Sequence, residues 1–335
     1  MKKVIAVLFA LGLVAQIGLF SAFAAPKVAV TSVKVSPASI TLAAGNTGTL
    51  KAIVSPATAT NKAVSWKSSN TAIATIDSKG NVTALSTGSA TITCMASGKS
   101  AVCKATVVKP TTNAQILATY TNVMNKAKAA KPAYNKYEYQ ELPGDAKSRN
   151  IGGGKAVIDP LLKLAARFMT TKEDAKANPG VYTKGGDMHA FPVKNAAKGC
   201  LMNDTNAIKT AKFEKLSNGN CKITMILKDE KNPEHYISGN SAPSKTGGIF
   251  VPLSKSDVSP ELGKWYVKMV ISNPVYDMNY HDCMVTLVYN PTTLRVISVD
   301  QILYNALTLS GKVVGISANG TQVLIMHYNI FNVVY

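Results

Sequence analysis

The sequence predicts two folded units in tandem: an all-β sandwich over residues 31–109, then an α+β domain over 110–335, with one or two helices against a curved antiparallel sheet. Three observations carry this. Between Thr31 and Val108, short alternating apolar runs are punctuated by turn residues, the pattern of strands that bury one face. From Asn113 the apolar residues recur at helical spacing instead. Beyond Lys209 the alternation returns in longer runs, and within one of them the apolar parity changes, as it does where a strand carries a bulge.

In the first unit, Val33 and Val35 alternate with polar residues up to Pro37, and Ile40 and Leu42 up to the Ala44-Gly45-Asn46 turn. Leu50, Ala52 and Val54 form a strand ended by Pro56; Val64 and Trp66 form the next. Ile73 to Ile76 runs into Asp77-Ser-Lys-Gly80, whose Gly suits a positive-φ turn position. Val82 and Ala84, then Ala90, Ile92 and Cys94, then Cys103, Ala105 and Val107 complete the set. Strands this short need two facing sheets. A sandwich of immunoglobulin type is expected, with Trp66 as its largest core side chain.

Several pieces recur together here: Val33-Lys-Val-Ser-Pro37, Ile40-Thr-Leu42 with Gly45, Val54-Ser-Pro56, Val64-Ser-Trp66 through Asn70, Ala74-Thr-Ile-Asp77, Gly80-Asn-Val82 and Gly88-Ser-Ala-Thr-Ile92. With them, residues 31–108 resemble the bacterial immunoglobulin-like group 2 domain. The resemblance implies a surface-exposed module of adhesins, wall-associated enzymes and other exported proteins, serving as a spacer or as a ligand-binding unit. It implies no active site.

Five cysteines are present: Cys94, Cys103, Cys200, Cys221 and Cys283. If Gly98-Lys99 is a two-residue hairpin loop, Cys94 faces Cys103 across the ladder and a disulfide is expected there. Cys200–Cys221 is a weaker expectation, leaving Cys283 free. Residues 26–110 also hold nine lysines (Lys27, Lys34, Lys51, Lys62, Lys67, Lys79, Lys99, Lys104 and Lys109) against a single acid, Asp77. Alternation must turn most of them outward. They serve either to dock the module on an anionic polymer or to blunt strand edges.

Lys2 and Lys3 precede an apolar run from Val4 to Phe23, and Ala22-Phe23-Ala24 has the pattern cleaved by signal peptidase. Residues 1–24 are expected to be a signal peptide; an uncleaved anchor is the alternative. After cleavage no transmembrane helix is expected. The whole chain is basic, with 37 Lys+Arg against 18 Asp+Glu. Only Arg149, Arg167 and Arg295 are arginines, and no Arg–aromatic cluster of the kind that reads nucleic acid is present. Nucleic acid is therefore excluded as a partner. An anionic cell-envelope polymer or glycan, or another surface protein, fits better, at the surface of a Gram-positive bacterium or secreted from it.

In the second unit Asn113 can cap a helix carrying Leu117, Tyr120, Met124 and Ala127, ended by Pro132. Asp159-Pro160 reads as the start of a second helix with Leu161, Leu164, Ala165 and Phe168 on one face. Ser217-Asn-Gly-Asn220 marks a hairpin, and Asn290-Pro-Thr-Thr293, Ser310-Gly311 and Asn319-Gly320 mark further turns. Tyr276, Met278 and Tyr280 share one parity, whereas Val285, Leu287 and Tyr289 share the other.

No chemical motif stands out. His189, His235, His281 and His327 lack metal-ligand spacing. His281-Asp-Cys283 contains nucleophile, base and carboxylate types, yet strand alternation sends Asp282 away from the other two. Asn150-Ile-Gly-Gly-Gly-Lys155 lacks phosphate-loop spacing and reads as a flexible loop. Met202-Asn-Asp-Thr-Asn206 lacks the Gly and final Glu of a calcium loop and reads as a turn or cap. Asp187, Glu214, Asp229, Glu230 and Glu234 could supply a carboxylate pair for glycoside hydrolysis, but their separation is not legible. No cofactor is expected. Tyr276, Tyr280, Tyr289, Tyr304, Tyr328, Phe331 and Tyr335 either line a concave binding face or fill the core. The sequence thus favours a binding or structural protein, with a secreted glycan-acting enzyme as the alternative. The docking candidates are Lys34, Lys51, Lys62, Lys67, Lys79, Lys99 and Lys104.

Overall fold

The computed structural model describes residues 27–167, 169–237 and 244–335. The expected signal peptide and Phe168 lie outside the described residues. Among the described residues no helix is long and apolar enough to cross a membrane.

The first unit consists of β1 (Ser32–Ser36), β2 (Ser39–Ala43), β3 (Thr47–Thr49), β4 (Lys51–Ser55), β5 (Ser65–Ser68), β6 (Ala74–Ile76), β7 (Asn81–Ala84), β8 (Gly88–Ala96) and β9 (Lys99–Val108). A sheet ordered β2-β9-β8-β5 faces a β3-β7-β6 sheet, and β1 pairs with β4. Leu50, Val82, Ile92, Cys103, Ala105 and Val107 form the core between them, and Val33, Cys94 and Ala96 form a smaller cluster. Trp66 packs against both clusters but is only half-buried. Leu50 and Ile92 are the largest wholly enclosed side chains of this unit, so the expectation for Trp66 is corrected. The Asp77–Gly80 turn forms as read: Asp77 Oδ1 accepts from the backbone N–H of Lys79 and Asn81, both at 2.9 Å. Gly80 sits at φ 86, where a Cβ would lie 2.4 Å from the Leu50 carbonyl oxygen.

The expected Cys94–Cys103 bridge is corrected by the register. The hairpin turns at Ser97-Gly98, both with positive φ, so Ala96 faces Lys99, Cys94 faces Ala101 and Cys103 faces Ile92. The shift of the loop by one residue makes the two cysteines diagonal neighbours, roughly 7–8 Å apart, beyond ordinary disulfide reach. Both are buried free thiols, and so are Cys200, Cys221 and Cys283.

The rest of the chain is mostly β as well. It comprises α1 (Asn113–Ala130), β10 (Ala133–Glu141), β11 (Arg149–Gly153), α2 (Lys155–Ala166), α3 (Lys172–Ala177), β12 (Gly180–Tyr182), β13 (Ile208–Lys215), β14 (Cys221–Leu227), β15 (Glu230–Lys231), α4 (Lys255–Leu262), α5 (Trp265–Val270), β16 (Ile271–Asn290), β17 (Arg295–Val313) and β18 (Ile316–Val334). The sheet runs β12-β10-β18-β17-β16-β14-β13, with β11 on β18 and β15 on β16. Thr112, not Asn113, caps α1, through a reciprocal box with Gln115, and Lys131 ends it in the left-handed region before Pro132. The second helix begins at Lys155, so Pro160 lies inside it rather than at its start. Leu164 is exposed, and Ile158 and Leu162 face inward instead, beside Ile271 and Val313. Asn150–Gly153 is strand rather than flexible loop; Gly152 leaves room for Asn319, whose Oδ1 would be 2.5 Å from a Cβ.

The parity change in β16 is a bulge. His281 pairs with Tyr304 and Met284 with Ile302, so Asp282 and Cys283 together oppose Leu303. Asp282 takes φ 48. The extra residue puts Met278 and Tyr280 on the same buried face as Val285, Leu287 and Tyr289. That face packs against α1 through Tyr120, Val123 and Met124.

The two units touch directly. Thr119 Oγ1 lies 2.9 Å from both the Ala44 carbonyl and Asn46 Oδ1, and Asn122 Nδ2 donates to the Gly45 carbonyl at 2.6 Å. Leu85 joins the core of the second unit.

Candidate binding groove

One half of the inner sheet face lies under α1; the other, on β10 and β18, borders open space. Alternation brings Gln140 from β10 and Leu324, Met326 and Tyr328 from β18 to this floor. The opposite wall is built from Val251–Leu253, Lys194, Asn195, His235 and Asp257. The groove holds about 530 Å³. Val251 and Tyr328 also line a narrow neck with Lys136 and Gln301. Lys136 then borders a second cleft of about 350 Å³ with Glu138, Asp174 and Tyr182. Lys136 Nζ lies 5.3 Å from the centre of the Tyr328 ring and 2.8 Å from Glu138 Oε2, so a cation and an aromatic ring meet at the neck. Burial pushes the Tyr328 phenol well above its ordinary range, which keeps it a neutral hydroxyl.

The wall is anchored from behind. Lys128 Nζ donates to the carbonyls of Phe191 and Val193. Burial draws Lys128 down to about 8, partly opposed by the charge of Asp187. Gln301 Nε2 donates to the Ile249 carbonyl at 2.9 Å and the Tyr280 hydroxyl to the Leu253 carbonyl at 3.0 Å. These bonds fix the 249–253 segment to the sheet, a preformed wall of the kind small-ligand sites use.

A polar chain borders the groove. His235 Nδ1 lies 3.4 Å from Asp257 Oδ2, which accepts from the Ser254 N–H at 2.8 Å and its hydroxyl at 2.7 Å. Ser254 Oγ lies 2.6 Å from Ser256 Oγ, which donates to Glu234 Oε2 at 2.9 Å. A serine nucleophile needs the imidazole between hydroxyl and carboxylate. Here the carboxylate sits between them, inside a helix-capping box, so this chain orients the wall and does not activate Ser254.

The residues singled out from sequence scatter. Lys34, Lys51, Lys62, Lys67, Lys79, Lys99 and Lys104 are all exposed. Lys67 and Lys104 rise from the outer face of the β2-β9-β8-β5 sheet, among Ser39, Thr91 and Thr93. His281 and Asp282 stay together, at 3.2 Å, with Lys209 at 2.7 Å from the carboxylate. Cys283 is buried apart from them, and burial pushes its thiol up to about 12; as a neutral thiol it is no nucleophile at neutral pH. Of the five acids, Glu234 alone reaches the polar chain at the groove. Asp187 pairs with His189 at 2.8 Å, Glu214 with Lys212 and Lys222, and Glu230 accepts from the N–H groups of Lys245 and Thr246. Asp204 caps a short turn. Among the aromatics, Tyr280 and Tyr289 are core, Tyr328 lines the groove, and Tyr304 falls on the opposite sheet face, against His281. Asp257 and Lys194 escape sequence reasoning, and His235 is met only as a histidine without metal-ligand spacing, because nothing in their spacing links two loops to the first turn of α4; only Ser254-x-x-Asp257 is legible, as a cap.

Residues 29–107 match the bacterial Ig-like domain (group 2). Over 80 residues the chain is 45% identical to a kappa-carrageenase of Pseudoalteromonas carrageenovora, a stretch covering 24% of this chain and 20% of the carrageenase. It is 43% identical over 63 residues to an uncharacterized protein of Clostridium acetobutylicum, covering 19% of this chain and 6% of that protein. The likeness thus spans a fifth or less of either relative. Residues 29–107 of this chain are a bacterial Ig-like domain of group 2.

Proposed function

We propose that this is a surface-exposed or secreted glycan-binding protein, in which the Ig-like domain mounts the molecule and an α+β C-terminal domain holds an acidic sugar chain in the groove on β10 and β18. The groove carries the reading. It is long, preformed and lined by an aromatic ring, apolar floor residues, amides and the cations Lys136 and Lys194. Sugar rings stack their apolar faces on such side chains, while amides and lysines satisfy hydroxyls and acidic groups. The Ig-like domain and the shared stretch with a carrageenase fit a surface or glycan-related role. The exposed lysines of the Ig-like domain add a positive field toward an anionic envelope polymer.

Calorimetric titration of acidic wall polymers and sulfated oligosaccharides into residues 27–335 tests this. Binding in the micromolar range is expected, weakened about tenfold or more by Tyr328→Ala and by Lys194→Ala. Unchanged affinity in both variants would remove the groove from the account. The second reading, a glycan hydrolase, rests on His235, Asp257 and Glu234 at the same groove. It requires new reducing ends from the bound polymer, abolished by Asp257→Asn or Glu234→Gln.

A further inference from the structure

The far end of the second unit differs from the rest of the surface. There α5 runs directly into β16, and the β17–β18 hairpin closes beside it: Ile271 pairs with Val313, Ser272 with Lys312, and Val313 with Ile316. Ile158 and Leu162 of α2 join Ile271 and Val313 around an apolar cavity of about 90 Å³. These elements point apolar side chains outward. Trp265 and Met269 are 74% and 73% exposed, Val275 and Val314 67%, and Ile316 51%. Isolated exposed apolar residues are ordinary, but a gathered set is not.

The hairpin tip breaks a local rule. Its two turn residues are Val314 at φ 49 and Gly315 at φ 79. Such turns favour Asn-Gly or Asp-Gly; a β-branched residue at positive φ is strained. Placing valine there, exposed, opposes both backbone preference and hydration, and rules broken in this way concentrate where a surface is used.

The rim is basic. Lys264 precedes α5 and Lys268 lies within it, Lys312 stands beside the tip, and Lys155 and Lys163 lie on α2, all exposed. The acids of α2 and α4 are already engaged: Glu261 with Lys264, Asp159 near Arg149 at 3.7 Å, and Asp257 with His235. An exposed Trp, aliphatic side chains and a ring of lysines is the composition that enters the headgroup zone of an anionic bilayer.

We propose that this end of the molecule, centred on Trp265, Met269, Val314 and Ile316, inserts shallowly into an anionic lipid bilayer, with Lys264, Lys268 and Lys312 on the headgroups. The site is separate from the groove and does not depend on its ligand.

Residues 27–335, which contain every described element, are mixed with vesicles of phosphatidylcholine with or without one third phosphatidylglycerol. Co-flotation with the anionic vesicles is expected, at least tenfold above neutral ones and reduced in high salt. Because the Ig-like domain is also basic, insertion is read separately, by quenching of tryptophan emission with bromine-labelled lipid. That quenching should be strong in the wild type and absent in W265F, since Trp66 lies in the Ig-like domain. Val314→Asn with Met269→Ser should cut flotation several-fold while leaving the circular dichroism and any polymer binding intact. Flotation without quenching of Trp265 would assign the binding to charge alone and overturn the proposal. So would a concentration-dependent dimer abolished by Val314→Asn, which would make the same face a contact between copies.

Discussion

Single residues show what burial does to charge in this fold. Lys128 is buried against two carbonyls with no carboxylate in contact. Lys128→Met leaves the Phe191 and Val193 carbonyls without their donor and should cost about 1–3 kcal/mol in urea unfolding. Its titration also sets a pH dependence. The folded chain releases this proton near 8 and the unfolded chain near 10.5, so between those values the unfolded state holds more protons. Lys128 therefore makes stability rise with pH across that window, a contribution that Lys128→Met should remove from a pH series of unfolding midpoints. His327 acts in the same sense at lower pH. Burial, against the pull of Glu141, draws it below its ordinary 6.5. Its contribution is complete above that value and is lost as pH falls through the folded value; His327→Gln should flatten the acid limb of the stability curve.

Among the elements, the bulge at Asp282–Cys283 has the largest reach. It lets one strand of 20 residues keep both its halves on the core. Deleting Asp282 removes the extra residue, so the shortened strand alternates without interruption and both apolar sets stay on the core face. The deletion variant should therefore keep a cooperative unfolding transition, and so should Asp282→Gly, which keeps the bulge and suits positive φ. Helix α1 serves both units at once: Tyr120 and Met124 fill the sheet core, while Thr119 and Asn122 bind the 44–46 turn. Thr119→Val with Asn122→Ala should separate the unfolding of the two units into two calorimetric transitions.

At the scale of the whole molecule, the exposed lysines form two different settings. The Ig-like domain holds its lysines on exposed positions around a small core, whereas at the far end of the sheet domain lysines border the exposed Trp265, Met269, Val275, Val314 and Ile316. Envelope binding through the first should fall steeply with ionic strength. A variant with Lys67 and Lys104 changed to Glu should lose much of that salt dependence in pull-down on anionic polymer while retaining the affinity of the groove for short oligosaccharides.

Local pattern determined much of this protein. Alternation and turn residues gave the strands of the Ig-like domain and its outward lysines, and Pro132 gave the helix stop before it, because each depends on a few adjacent residues. The change of parity between Tyr280 and Val285 even located the bulge, since a buried face cannot switch without an extra residue. Register was less secure: one residue in the Ser97-Gly98 turn decided whether Cys94 met Cys103 or Ala101. The groove lay beyond the sequence altogether. Lys194, His235 and Asp257 come from segments far apart in the chain, and Gln140 and Tyr328 from strands paired across most of the second unit. Alternation shows which face a side chain takes; only the order of the strands and the loops that cross them decides what it meets there.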